Sequence, residues 1–146
     1  MKRSSPINIL IVDDSPGDVR LLREAMKEIT LSYNLHTVSD GGLALEFLHR
    51  AGIYVDAVRP DLILLDFNMP KKNGREALME IKSNERLRSI PVIVLTTSAS
   101  EKDILLAYQL GANCYITKPS ELDQFLKVIK SVADFWLETA KLPLGA

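Results

Sequence analysis

Short runs of apolar and β-branched residues recur along the chain, separated by longer stretches in which apolar positions return every third or fourth residue. The runs are Ile7 to Val12, Leu35 to Val38, Leu62 to Leu65, Val92 to Leu95 and Cys114 to Thr117. Three of them are almost continuously apolar, as expected for strands covered on both faces of a parallel sheet. Between them, Val19, Leu22, Met26 and Ile29 mark one face of a first helix, and further helices are expected near Gly42 to His49 and Arg75 to Ser83. Strand and helix alternating in this way predict an α/β sandwich.

Polar residues punctuate the pattern. Ser15, Ser100 and Ser120 each stand three residues before an aspartate, at Asp18, Asp103 and Asp123, which predicts three capped helix starts with negative charge in the first turn. Pro16 suits a first helical position, and Gly111 a stop after the fourth helix. In the fifth helix Leu122, Phe125, Leu126, Ile129, Val132, Ala133 and Trp136 form a stripe expected in the core, with Val128 and Phe135 to one side as a candidate contact surface. Five strands and five helices use up residues 1–146 as one domain, with a core at about 7–137 and a C-terminal extension over 138–146.

Composition narrows the class. A chain of 146 residues is long enough to bury a full core without disulfide or metal staples. Its 47% hydrophobic and 25% charged residues are the balance of a globular protein. With a net charge of −1 it has no global electrostatic drive toward nucleic acid, and Lys71, Lys72 and Arg75 are too few to supply one. Cys114, the single cysteine, excludes an internal disulfide and is read as buried packing suited to a reducing compartment. The basic start runs into a short apolar run and then two aspartates, unlike a secretory signal, and no segment reaches transmembrane length. A cytoplasmic protein with no membrane partner is expected.

The acids carry the chemistry. Asp13 and Asp14 end the first strand and Asp66 ends the third. In an open parallel sheet, ligands bind beyond the carboxyl ends of strands where the strand order reverses, so these acids are candidates for one pocket. Taken singly, each also fits a helix cap. Two unit charges about 4 Å apart at an effective dielectric of about 20 repel by roughly 4 kcal/mol, so three clustered carboxylates need a cation. An all-oxygen donor set favours a hard ion such as Mg²⁺. Lys118, after the fifth strand, is a further point charge if it lies at the same edge.

The fragments "ILIVDDSPGD", "DLILLDFNMPKKNGRE", "PVIVLTTS" and "CYITKP", in this order and spacing, closely resemble the receiver domain of two-component response regulators over residues 7 to about 137. The resemblance implies a flavodoxin-like (βα)5 fold with a five-stranded parallel sheet in order 2-1-3-4-5. It implies Asp66 as phosphoacceptor, with Asp13, Asp14, Asp66 and the backbone carbonyl of Asn68 as ligands of Mg²⁺, for which Mn²⁺ can substitute. Lys118 would contact the phosphoryl group, and a cis peptide would join it to Pro119. Thr96 would be the switch hydroxyl that turns toward the phosphate, with Tyr115 as the aromatic that follows it. Asn68 and Thr97 stand where the lifetime of the phosphate is tuned. Thr97 replaces a usually smaller residue, and its branched side chain is expected to keep water from the phosphoryl group. No residue offers itself as a strong hydrolytic base, so the phosphate should persist long enough to signal.

A sensor histidine kinase is the implied donor. The tail, "HRAGIYVDAVRPD" and "NCYITKP" also look like the small regulators paired with bacterial and cyanobacterial phytochromes. No output domain is recognised, so a downstream protein target or phosphotransfer protein is expected, and a homodimer through the helix 4, strand 5 and helix 5 face or through the extension. Two other readings compete. A haloacid-dehalogenase-like phosphatase would need a second acid where Asn68 stands, and an inert interaction module would not need the full set of Asp13, Asp14, Asp66, Thr96 and Lys118.

Overall fold

The structure, a computed structural model, describes residues 6–69 and 73–143. Lys71, Lys72 and the end of the extension from 144 onward lie outside the described residues. Five strands, β1 (Ile7–Val12), β2 (Tyr33–Val38), β3 (Leu62–Leu65), β4 (Val92–Thr96) and β5 (Cys114–Thr117), alternate with α1 (Pro16–Met26), α2 (Gly41–His49), α3 (Gly74–Ser83), α4 (Glu101–Gln109) and α5 (Leu122–Ala133). All neighbouring strands are parallel, in the order β2-β1-β3-β4-β5, so the flavodoxin-like architecture holds.

Alternation along the strands divides the core into two layers. Leu10, Val12, Ile63, Leu65, Val92 and Val94 face α2, α3 and α4, where Phe47, Leu78, Ile81 and Ala107 cover them. Ile9, Ile11, Leu62, Leu64, Ile93 and Leu95 face α1 and α5 and pack on Leu22, Met26, Phe125, Ile129 and Val132. Burial on both sides explains why the central strands read as unbroken apolar runs. The edge strand β5 is only half-buried throughout, and Cys114 with it, so the cysteine is partly accessible and not wholly enclosed.

Two of the three expected caps form: Ser15 accepts from the Asp18 N–H at 3.2 Å and Ser100 from the Asp103 N–H at 3.3 Å. Ser120 does not cap α5. The helix begins one residue later, behind Glu121, which makes no side-chain capping bond. Leu122, the first residue of the helix, is 55% exposed and lies outside the core stripe it was expected to join. Gly111 ends α4 with a φ of 106°, as its position suggested. β4 runs one residue further than its apolar run because Thr96 pairs with Thr117 of β5. Beyond α5 a π-helical turn, Asp134–Thr139, carries the buried Leu137 back onto the α1 and α5 layer.

Candidate functional site

β1 lies between β2 and β3, so successive crossovers leave it in opposite directions and open a crevice at the carboxyl ends of β1 and β3. The residues immediately after these strands, Asp13 and Asp66, still donate their N–H groups to the carbonyls of Val38 and Val12 at 3.1 and 2.9 Å, which fixes their side chains at the crevice. Asp13 and Asp66 are buried there, while Asp14 is exposed at the rim. One carboxylate oxygen from each of the three can be chosen so that all lie within 4.8 Å of one another.

Lys118 reaches the same point from the end of β5. Its ammonium donates to Asp13 Oδ2 at 2.7 Å, Asp18 Oδ2 at 2.8 Å and Asp66 Oδ2 at 3.3 Å. Burial pulls its pKa down, but its hydrogen bonds to Asp13 and Asp18 and the charges of Asp13 and Asp66 outweigh that, so the lysine is held firmly protonated. One ammonium shared among these acids does not neutralise them. Burial raises the Asp13 carboxyl above its ordinary 3.8, even though Lys118 and the Ser15 N–H, 2.9 Å from Oδ1, both favour its charge. An incompletely neutralised pocket of oxygen donors fits a hard divalent cation.

The backbone around Asp66 is built to hold it. The Asn68 N–H folds back onto Asp66 Oδ1 at 3.0 Å, and Asn73 caps α3 by accepting from the Glu76 N–H at 3.1 Å. Gly74 then brings the start of α3 against the Asp66 loop. A Cβ at this position would stand 2.1 Å from the Asp66 carbonyl oxygen and 2.8 Å from Phe67 Cα.

Of the remaining expected residues, Thr96 is fully buried at the end of β4 and its hydroxyl accepts from Asn68 Nδ2 at 3.4 Å. Thr97 is exposed. The Tyr115 hydroxyl donates to the Ser98 carbonyl at 2.8 Å, and its ring stands edge-on to Phe67 with 6.0 Å between centroids. The bond between Lys118 and Pro119 is trans, since no cis peptide occurs among the described residues, and the expected cis form is corrected accordingly. Trans is the lower-energy form even before proline, by about 0.5–1 kcal/mol. In this arrangement the Lys118 N–H also bonds the Thr96 carbonyl at 2.7 Å.

Sequence reasoning missed Asp18 as a partner of Lys118, Gly74 as a close approach, and the pairing of Arg75 with Asp103 at 2.9 Å. Asp18 and Asp103 were legible only as first-turn acids. Their second role depends on residues 100 and 28 positions away.

Among the described residues no helix is long and apolar enough to cross a membrane. The model of the response regulator receiver domain matches residues 9–130. The chain is 48% identical over 138 residues to the response regulator Rcp1 of Synechocystis sp., covering 94% of both chains. It superimposes with a TM-score of 0.92 on the crystal structure of the phosphorylated cyanobacterial phytochrome response regulator RcpA, at 48% identity over 95% of this chain and 99% of that one. The Mn²⁺-bound form of Rcp1 gives the same TM-score of 0.92 at 48% identity, over 94% of this chain and 99% of that one. A matched family model, near-complete coverage and the acidic crevice at the strand ends agree: the chain belongs to the response regulator receiver domain family, whose members signal through phosphorylation.

Proposed function

We propose that Asp66 accepts a phosphoryl group from a sensor histidine kinase and that the chain signals through the resulting change in its protein contacts. A carboxylate oxygen of Asp66 forms the new bond to phosphorus as the bond between phosphorus and the donor breaks, giving an aspartyl phosphate and the free donor. Phosphoryl transfer asks chiefly for in-line positioning and charge neutralisation, and no strong general base is needed. Asp13, Asp14, Asp66 and the Asn68 carbonyl would hold Mg²⁺, which when bound neutralises charge on the phosphoryl oxygens. Lys118 supplies a fixed positive charge at the same point. Thr96 then offers its hydroxyl from the end of β4, and Tyr115 responds through the loop that both residues touch. The protein is a signalling phosphoacceptor that promotes its own phosphoryl transfer and loss.

The observation that carries this reading is the convergence of Asp13 and Asp66, from the ends of two strands, on the Lys118 ammonium at the end of a third. Likeness to regulators whose titles name cyanobacterial phytochromes supports a phytochrome-type kinase as donor. The same likeness supports a cytoplasmic, single-domain regulator. The exposed Leu105 and Tyr108 of α4 and Phe135 beyond α5 support a second copy or a downstream protein on the α4, β5 and α5 face.

Incubation with acetyl phosphate and Mg²⁺, followed by intact mass measurement, tests the reaction. The wild type should gain one phosphoryl group and Asp66→Asn none. No gain in the wild type, or an equal gain in Asp66→Asn, would overturn the proposal. Phosphoryl transfer from a purified phytochrome kinase, compared with an unrelated histidine kinase, tests the donor.

A further inference from the structure

Five residues form a closed ring beside Asp66, four through their side chains alone and Ser98 through its hydroxyl and its carbonyl. The Arg75 guanidinium, from the first turn of α3, lies over the Phe67 ring at 5.2 Å and donates to Asp103 Oδ1 at 2.9 Å. Asp103, in the first turn of α4, accepts on its other oxygen from the Ser98 hydroxyl at 2.6 Å. The Ser98 carbonyl accepts from the Tyr115 hydroxyl, and Tyr115 closes the ring edge-on against Phe67. The Arg75 and Asp103 side chains are 31% and 18% exposed, so water screens their attraction less than that of a free surface pair. The Ser98 and Arg75 bonds together hold the Asp103 carboxyl below its ordinary 3.8.

The ring joins two segments that the chemistry would disturb. Phe67 directly follows Asp66, and Arg75 follows Gly74, whose Cα is set against the Asp66 carbonyl. Ser98 stands two residues after Thr96, in the loop that leads into α4. A shift of the Asp66 loop therefore reaches α4 by two routes: through Thr96, Thr97 and Ser98, and through Phe67, Arg75 and Asp103. The second route is a chain of direct side-chain contacts.

We infer that Arg75 is a positioning residue which, through its ion pair with Asp103, carries the state of the Asp66 loop to helix α4. This rests on the proposed phosphorylation of Asp66 and goes beyond it by naming the pair that delivers the signal to α4. Arg75 touches none of the four oxygen donors and need not affect the transfer itself. Without the pair, Tyr115 still follows Thr96 through the Ser98 carbonyl, but the first turn of α4 loses this polar tie to α3. The two responses then separate.

Amide spectra of the full chain with and without acetyl phosphate and Mg²⁺ read both responses at once, for wild type, Arg75→Ala, Asp103→Asn and the charge swap Arg75→Asp with Asp103→Arg. Intact mass in each sample fixes the phosphorylated fraction. Phosphorylation to the wild-type level, with the phosphorylation-dependent shifts of residues 101–109 cut to less than about half, those of Tyr115 kept, and partial recovery in the charge swap, is the expected result. Undiminished α4 shifts in phosphorylated Arg75→Ala would overturn it. Hydrogen exchange of the α4 amides in the unphosphorylated chain gives a second reading. Each single change should speed exchange roughly two- to fivefold, the scale of a partly exposed ion pair, and Arg75→Ala with Asp103→Asn no more than either alone. Additive effects would overturn the inference. Because this arm needs no phosphate, a wild type that gains no phosphoryl group counts against Asp66 as acceptor and leaves the ring to be judged by exchange.

Discussion

Adding one methyl group at Gly74 should damage both the fold and the site, and the size of the damage follows from the geometry. In Gly74→Ala the new Cβ would meet the Asp66 carbonyl oxygen at 2.1 Å, Phe67 Cα at 2.8 Å and the Asp66 carbonyl carbon at 2.9 Å. Ordinary contact between heavy atoms begins about 1 Å further out. All three obstacles are backbone, so no rotamer change relieves them, and either α3 or the Asp66 loop must move. Overpacking typically costs about 1–3 kcal/mol, and a clash with backbone on every side belongs at the top of that range, against a typical stability of about 5–15 kcal/mol. With a urea slope of roughly 1–3 kcal/mol/M, a loss of about 3 kcal/mol lowers the unfolding midpoint by about 1–3 M at unchanged slope. Mn²⁺ affinity should fall in the same variant, because the loop that moves carries one of the three carboxylates. Gly17 is the control. A Cβ there meets only the Ser15 hydroxyl at 4.0 Å, inside the first turn of α1, so Gly17→Ala should raise stability by up to about 1 kcal/mol. A Gly74→Ala midpoint within about 0.3 M of wild type, or no lower than that of Gly17→Ala, would refute the close-approach argument.

Three further outcomes can be measured on the same protein. The Asp103 carboxyl is held below 3.8, so its contribution to stability is complete above that pH and fades as pH falls through the lower folded value; Asp103→Asn should be about 0.2–1 kcal/mol less stable than wild type at pH 7, and the gap should close in urea titrations below about pH 4. Lys118→Ala should slow phosphorylation by acetyl phosphate by about 10²–10³, the scale for losing one charge-stabilising donor, whereas Asp18→Asn, which leaves Lys118 held by Asp13, should slow it less than about tenfold; equal losses in stopped-flow rates would show that Asp18 does more than anchor the lysine. Thr97 is exposed one residue after the buried Thr96, so Thr97→Ala should lose phosphate a few-fold faster once acetyl phosphate is removed, and an unchanged or slower rate would end its proposed part in phosphate lifetime.

Local order was legible because it is written in local patterns. Unbroken apolar runs announced the central strands, the serine and aspartate pairs placed the caps of α1 and α4, and Gly111 marked the end of α4. The strand-end positions of Asp13, Asp14, Asp66 and Lys118 followed from those runs. The ordered fragments around them then pointed to the receiver family, which the family match and the superposition bear out. Local pattern failed where a neighbouring element decides the outcome. Ser120 has the spacing of a cap, yet α5 starts beyond it, and Leu122 has the phase of a core residue but is exposed in the first turn.

By itself, then, the sequence determined which segments are strand or helix, which faces are apolar and which charged residues stand at strand ends, since propensity, periodicity and capping act over a few residues. Only the tertiary structure decided which charges meet. Lys118 takes its carboxylates from positions 52, 100 and 105 residues away, and Arg75 finds Asp103 across 28. Those distances depend on the crossovers that return each strand to the same sheet edge, and no local spacing in the chain encodes them. The glycine at 74 shows the same division: in the sequence it resembles any helix start, and only the Asp66 carbonyl packed against it makes every larger side chain too large.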